Sequence, residues 1–289
     1  AGLLGLRRVV TFRYYREINQ ELLAGLFTQI DIAKKAVKTA NEKVISADLT
    51  ITSQKNGFEF LNELFIKRHR KILWRSTLRI TVICAILCCG VLLLMAFEPE
   101  WKKDINEMVM TWLPYFAFIL YLINRGTGFT SALFMNCDHS LLTYSFYKQP
   151  KCVLKLFQIR LREIMKINAV PALVIGVGLA VILFVSGGTE NPLNYVVLVV
   201  SALFMSMFFS IHYLTVYYLL QPYTAGTEMK SGTYRIVMIL TYVVCYAMMN
   251  LRLPILVFGV ACIAFCVLYS VVASILVYKY APQTFRLRT

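Results

Sequence analysis

Few side chains in this sequence could do chemistry, and their spacing carries no catalytic signature. Three histidines occur: His69 in a basic cluster, His139 beside Asp138, and His212 inside a long apolar run. His212 is the one ionisable residue well inside such a run, where desolvation favours the neutral ring and a hydrogen-bond partner. It reads either as a proton or substrate contact in a polar pathway or as a neutral histidine bonded to a neighbouring helix. On the same run Ser206, Ser210, Tyr213 and Tyr217 recur at helical spacing and form one polar stripe, which faces protein or water more readily than lipid. These residues and His212 are the candidates for lining a translocation path, with helix packing as the competing account. The sequence has no GxxxxGK[ST] phosphate loop, no HExxH, no GxSxG and no pair of carboxylates within an apolar run. Of the eight cysteines, Cys84, Cys88, Cys89, Cys245, Cys262 and Cys266 lie in apolar runs and read as small packing residues. No CxxC pair or His-rich spacing points to a metal. The residues thus indicate no catalytic group, cofactor or metal in this chain.

The elements that hold these residues belong to lipid. The chain is 58% hydrophobic, yet it has 30 Lys and Arg against 15 Asp and Glu, whereas a soluble domain is about 45–50% apolar with its charge spread along it. Here long uncharged stretches alternate with short basic blocks, which defines an all-α polytopic membrane protein and argues against a nucleic-acid partner for the formal charge of +15. Hydropathy places about six spans, at 77–97, 108–124, 167–185, 195–220, 235–249 and 254–278, the second and fifth close to the shortest length that crosses a bilayer. Of the 30 cationic residues only Lys102, Lys103 and Arg252 fall in the outer loops of this scheme, which collect Glu98, Glu100, Asp104, Glu107 and Glu190. That bias places both termini on the cytoplasmic side.

The chain thus divides into two regions: 1–76, with cytoplasmic amphipathic and basic helices, and 77–289, the six-span domain. In the first, Ile18, Leu22, Leu26, Ile30 and Ala33 recur at helical spacing within a helix over 14–44. Residues 53–57 read as a loop, and 58–74 as a second helix bearing Lys67, Arg68, His69, Arg70 and Lys71. The chain opens at Ala1 without a signal-peptide layout and reads as a processed chain or a piece of a longer one. In the second region the most informative stretch is the long inner connection 125–166. Pro150 suits the first turn of a helix on which Lys151, Lys155, Gln158, Arg162 and Lys166 share a polar face. That helix is expected to lie along the inner membrane surface, against anionic lipids, before turning into span three. Arg160 leaves the polar face for the apolar side, where it needs a partner.

Residues 55–70 (KNGFEFLNELFIKRHR), 136–142 (NCDHSLL), 146–150 (FYKQP) and 160–168 (RLREIMKIN) together resemble the membrane subunit of a bacterial ABC-2-type exporter, in the manner of the large two-half permeases. The resemblance covers roughly 55–180. It implies that the piece between spans two and three docks on a separate ABC-type ATPase subunit, which supplies ATP and Mg, and it assigns Asp138, His139, Tyr147, Lys148 and Arg160 to that contact. The chain would sit in the inner membrane. Such permeases often have twelve spans, so six implies one half of a pair or a homodimer. The alternative from another class is a membrane scaffold or sensor that binds a cytoplasmic partner through its basic helices without transport.

Overall fold

The computed structural model describes Tyr14 and residues 17–29, 53–223 and 231–287. The chain divides into two units, Ala1–Leu49 and Thr50–Thr289. In the first, residues 17–29 form helix α1, which takes in Ile18, Leu22 and Leu26, while Ile30, Ala33 and the rest of the helix expected over 14–44 lie outside the described residues.

The second unit is all-α among its described residues. Its helices are α2 (Phe58–Phe97), α3 (Trp101–Thr111), α4 (Leu113–Ile123), α5 (Gly126–Leu133), α6 (Pro150–Val185), α7 (Leu193–Leu220), α8 (Gly232–Met248) and α9 (Ile255–Thr284). A π-helical turn at Phe134–Asp138 and a 3-10 turn at Ser145–Lys148 connect α5 to α6. Helix α2 runs unbroken for 40 residues through the expected junction at 76/77.

Four helical stretches are long and apolar enough to cross a membrane: Leu73–Phe97, Pro150–Val185, Leu193–Leu220 and Ile255–Thr284. The expected count of about six is not reached on this measure, the differences lying in its second and fifth members. The second is bent by 75° between Trp101–Thr111 and Leu113–Leu141, and counting that pair as one span gives five. The break falls at Trp112, and Pro114 in the first turn of α4 suits a fresh helix start. The fifth, α8, is a shorter apolar helix of 17 residues.

The surface helix expected over 150–166 is also corrected. Helix α6 continues through Lys166 for 36 residues in all, because one buried stripe stays in phase from Val153, Leu156, Phe157 and Arg160 to Ile164, Ile167, Ala172 and Ile175. With no change of buried face there is no reason to turn. Lys151, Lys155, Gln158, Arg162 and Lys166 lie along its other side, away from that stripe.

Helix α7 packs extensively against both α6 and α9, and α2 lies beside α6. At Gly176 a side chain would meet the Val199 backbone at 3.0 Å, so this glycine lets α6 and α7 close on one another. The bundle has two distinct ends. At one, Asn106 Nδ2 donates to Ser186 Oγ (3.1 Å) and to the Gly188 carbonyl (2.9 Å), and Leu253 N–H donates to the Thr111 carbonyl (3.1 Å). The Arg252 guanidinium lies 3.7 Å from the Trp112 ring centroid there. The other, the basic end, gathers Asn62, Asp138, Arg160, Tyr218 and Phe285.

Candidate functional site

The side chain of Arg160 occupies a core position on α6 and is 1% exposed. Desolvating a guanidinium is costly unless its donors are matched, and here they are. Nη1 and Nη2 make a two-pronged bond to the Asp138 carboxylate, Nη1 to Oδ2 at 2.8 Å. Nη1 also donates to Tyr218 Oη (2.9 Å), and Nε donates to Asn62 Oδ1 (3.1 Å). Asp138, fully buried, accepts a further bond from Tyr217 Oη–H (2.6 Å). The Tyr218 ring stacks on Phe285 with centroids 4.4 Å apart and meets Phe157 edge-on. One ion pair thereby ties together α2, the π turn, α6, α7 and the residue that succeeds α9.

Local structure aims these groups. Asp138 closes the π turn, whose extra residue rotates the downstream residues by about 100° relative to a regular helix. Adjacent residues Tyr217 and Tyr218 diverge by a similar angle around α7, so one hydroxyl reaches Asp138 and the other Arg160. Just beyond, Gln221 ends α7 with φ +37°, the one non-glycine residue at positive φ among the described residues. Its side-chain amide is buried with neither atom hydrogen-bonded.

A second polar cluster lies deeper, where the chain breaks between α4 and α5. Asn168 Oδ1 accepts from Arg125 N–H (3.0 Å), and Asn124 Oδ1 accepts from Gly126 N–H (2.7 Å), so side chains satisfy donors that the break releases. Asn168 Nδ2 donates to Ser210 Oγ (2.9 Å), Ser206 Oγ–H to the Asn168 carbonyl (3.0 Å), and Ser210 Oγ–H to the Ser206 carbonyl (2.9 Å). Gly126 is required here, since any Cβ would collide with the Cβ and Cγ atoms of Tyr213.

The structure redistributes the residues singled out by sequence. Asp138 and Arg160 come together, but their burial corrects the expectation that they face a partner: each is the other's partner, inside the chain. His139 and Lys148 are exposed nearby, and Tyr147 lies in the 3-10 turn. Tyr217 belongs to the ion-pair network. Ser206, Ser210 and Tyr213 are buried at helix contacts around the break. His212 is bonded to both neighbouring helices, to Tyr269 Oη (2.9 Å) on α9 and Thr241 Oγ1 (3.0 Å) on α8, the packing alternative. Sequence reasoning missed Asn62, Tyr218 and Asn168. The last two had a signal, since Tyr218 adjoins Tyr217 and Asn168 falls on the α6 stripe eight residues beyond Arg160. Outside the spans, burial holds His69 below its ordinary pKa, and the Ser53 hydroxyl and Lys67 lower that of Glu63. Among the described residues no three His, Cys, Asp or Glu side chains converge as metal ligands would.

Fold and site together define a class, an all-α, multi-pass membrane protein with a charged network at one end of its bundle. Comparison with known proteins returns no match to a family model, a curated protein or a solved structure.

Proposed function

We propose that this chain is the transmembrane subunit of an ATP-driven exporter of the ABC-2 type, working with a separate ATPase subunit and with its basic end and both termini in the cytoplasm. The observation that carries this reading is the ion-pair network. Helix α6 is a single rod whose exposed part, with Lys151 and Lys155, offers a cytoplasmic handle, and whose buried Arg160 grips α2, the π turn and α7 at once. A push on the handle therefore moves several helices together. An ATPase can drive the spans only through contacts that differ between its nucleotide states, and a rigid joint at the membrane boundary transmits such a difference. On this reading Asp138 and Arg160 transmit the motion, while His139, Tyr147 and Lys148 are nearer the contact itself. ATP and Mg are bound by the partner, and a second half or second copy completes the path.

The test is affinity purification in mild detergent, identification of any co-eluting ATPase, and its hydrolysis rate in the complex. Tyr217→Phe keeps the ring but removes the hydroxyl from Asp138, and Arg160→Lys keeps the charge but loses the fork. Both are expected to lower substrate-stimulated ATP hydrolysis at least several-fold while the subunits still co-purify. Glu190→Gln, at the opposite end, should leave it unchanged. Absence of any ATPase, with the chain retaining another cytoplasmic protein, would favour the scaffold or sensor instead.

A further inference from the structure

Where α2 and α6 run side by side at the basic end they enclose a groove of about 420 Å³. Five cations line it against three carboxylates. Each carboxylate is already matched: Glu59 by Lys55, Glu63 by Lys67 and Glu163 by Lys166. Arg70 and Arg162 line the same groove, and among the described residues neither pairs with a carboxylate. The groove therefore presents two guanidinium groups, one from each helix, in excess of its own anions.

Its depth narrows the ligand. Trp74, one residue inside the apolar stretch of α2, lines the groove, and so does Lys166, the last charged residue before the buried apolar run of α6. Tryptophan at such a boundary marks the headgroup level of a bilayer. Beyond Trp74, along the inclined i+4 ridge of α2, Leu78, Val82 and Ile86 are all more than half exposed, an apolar track leading from the groove into the hydrocarbon.

We propose that this groove binds the phosphate headgroup of an anionic phospholipid, held by Arg70 and Arg162 with its acyl chains along the Leu78–Val82–Ile86 track. Guanidinium forks match phosphate oxygens and are less strongly hydrated than ammonium groups, which suits them to a partly dehydrated interface. The floor of the groove includes Asn62, the residue that accepts from Arg160 Nε, so an occupied groove bears on the ion-pair network from outside. This assignment is independent of the exporter reading and of which way the chain faces.

The experiment is thermal unfolding of the purified chain in neutral-detergent micelles doped with phosphatidylglycerol, with phosphatidylcholine, or with soluble glycerol phosphate. Phosphatidylglycerol is expected to raise the midpoint saturably, and the other two are not. In Arg70→Gln/Arg162→Gln the half-saturating lipid fraction should rise about tenfold or more, as the loss of two charge-assisted contacts implies. Arg162→Lys should fall between. Lys151→Gln/Lys155→Gln removes the same charge from α6 about 10–16 Å along the helix from Arg162 and should behave like wild type. Equal loss in that control would reduce the effect to general electrostatics and overturn the site. So would an unaltered response in the arginine variant, or no response to phosphatidylglycerol. A matching response to glycerol phosphate would reassign the groove to a soluble phosphate.

Discussion

Arg160 stands on a stripe of Val153, Leu156, Phe157 and Ile164, where an aliphatic residue would pack without any partner. Its retention makes the core conditional on Asp138. Removing one member of such a pair leaves the other charge buried, which costs about 3–5 kcal/mol, whereas replacing both with apolar groups is often neutral or stabilising. Arg160→Met and Asp138→Leu are each expected to be strongly destabilising, and the double variant to recover most of the loss in a denaturation cycle. Additive losses would mean that Tyr217, Tyr218 and Asn62 hold each charge independently. Arg160 was legible as an anomaly from its spacing alone. Asp138 was not legible as its mate, since a residue's phase after a π turn cannot be read from a regular helical period.

At the scale of elements, α7 serves both polar clusters, with Ser206 and Ser210 at the chain break and Tyr217 and Tyr218 at the ion pair. It ends in a strained residue. Gln221 holds a left-handed conformation that favours glycine and buries an amide without hydrogen bonds. Either condition costs on the order of 1–3 kcal/mol. Gln221→Gly is thus expected to raise the unfolding midpoint, and a lowered midpoint would show that the side chain packs better than its polar atoms suggest. The long apolar helices were legible because lipid demands length and uninterrupted hydrophobicity, which sequence displays directly. The bend at Trp112 was not, because residues 108–124 are apolar on both sides of it. The course of α6 was not legible for a related reason: an amphipathic stretch shows the same period whether it lies on a membrane or continues a span, and only the in-phase buried stripe decides between them. Ser206 and Ser210 were legible as a face, but their partner Asn168 lies on another helix.

Within the second unit, the groups flanking the acidic loops meet at one end of the bundle, and Asp138 and Arg160 meet at the other. With native cysteines replaced, a cysteine at Glu190 should react with an impermeant thiol reagent in intact cells and one at Gln149 should not; the reverse pattern would invert the orientation. The spacing of the network along the chain also has a bearing on its birth. Asp138 precedes Arg160 by 22 residues, and Tyr218 comes 58 residues after Arg160. At ribosomal speeds of about 5–20 residues per second, the carboxylate waits about 1–4 s for its cation, and the pair then waits about 3–12 s for the tyrosine. Asp138 and Arg160 are therefore both synthesised seconds before Tyr218, so the charged pair is available to form before its tyrosine partner on α7.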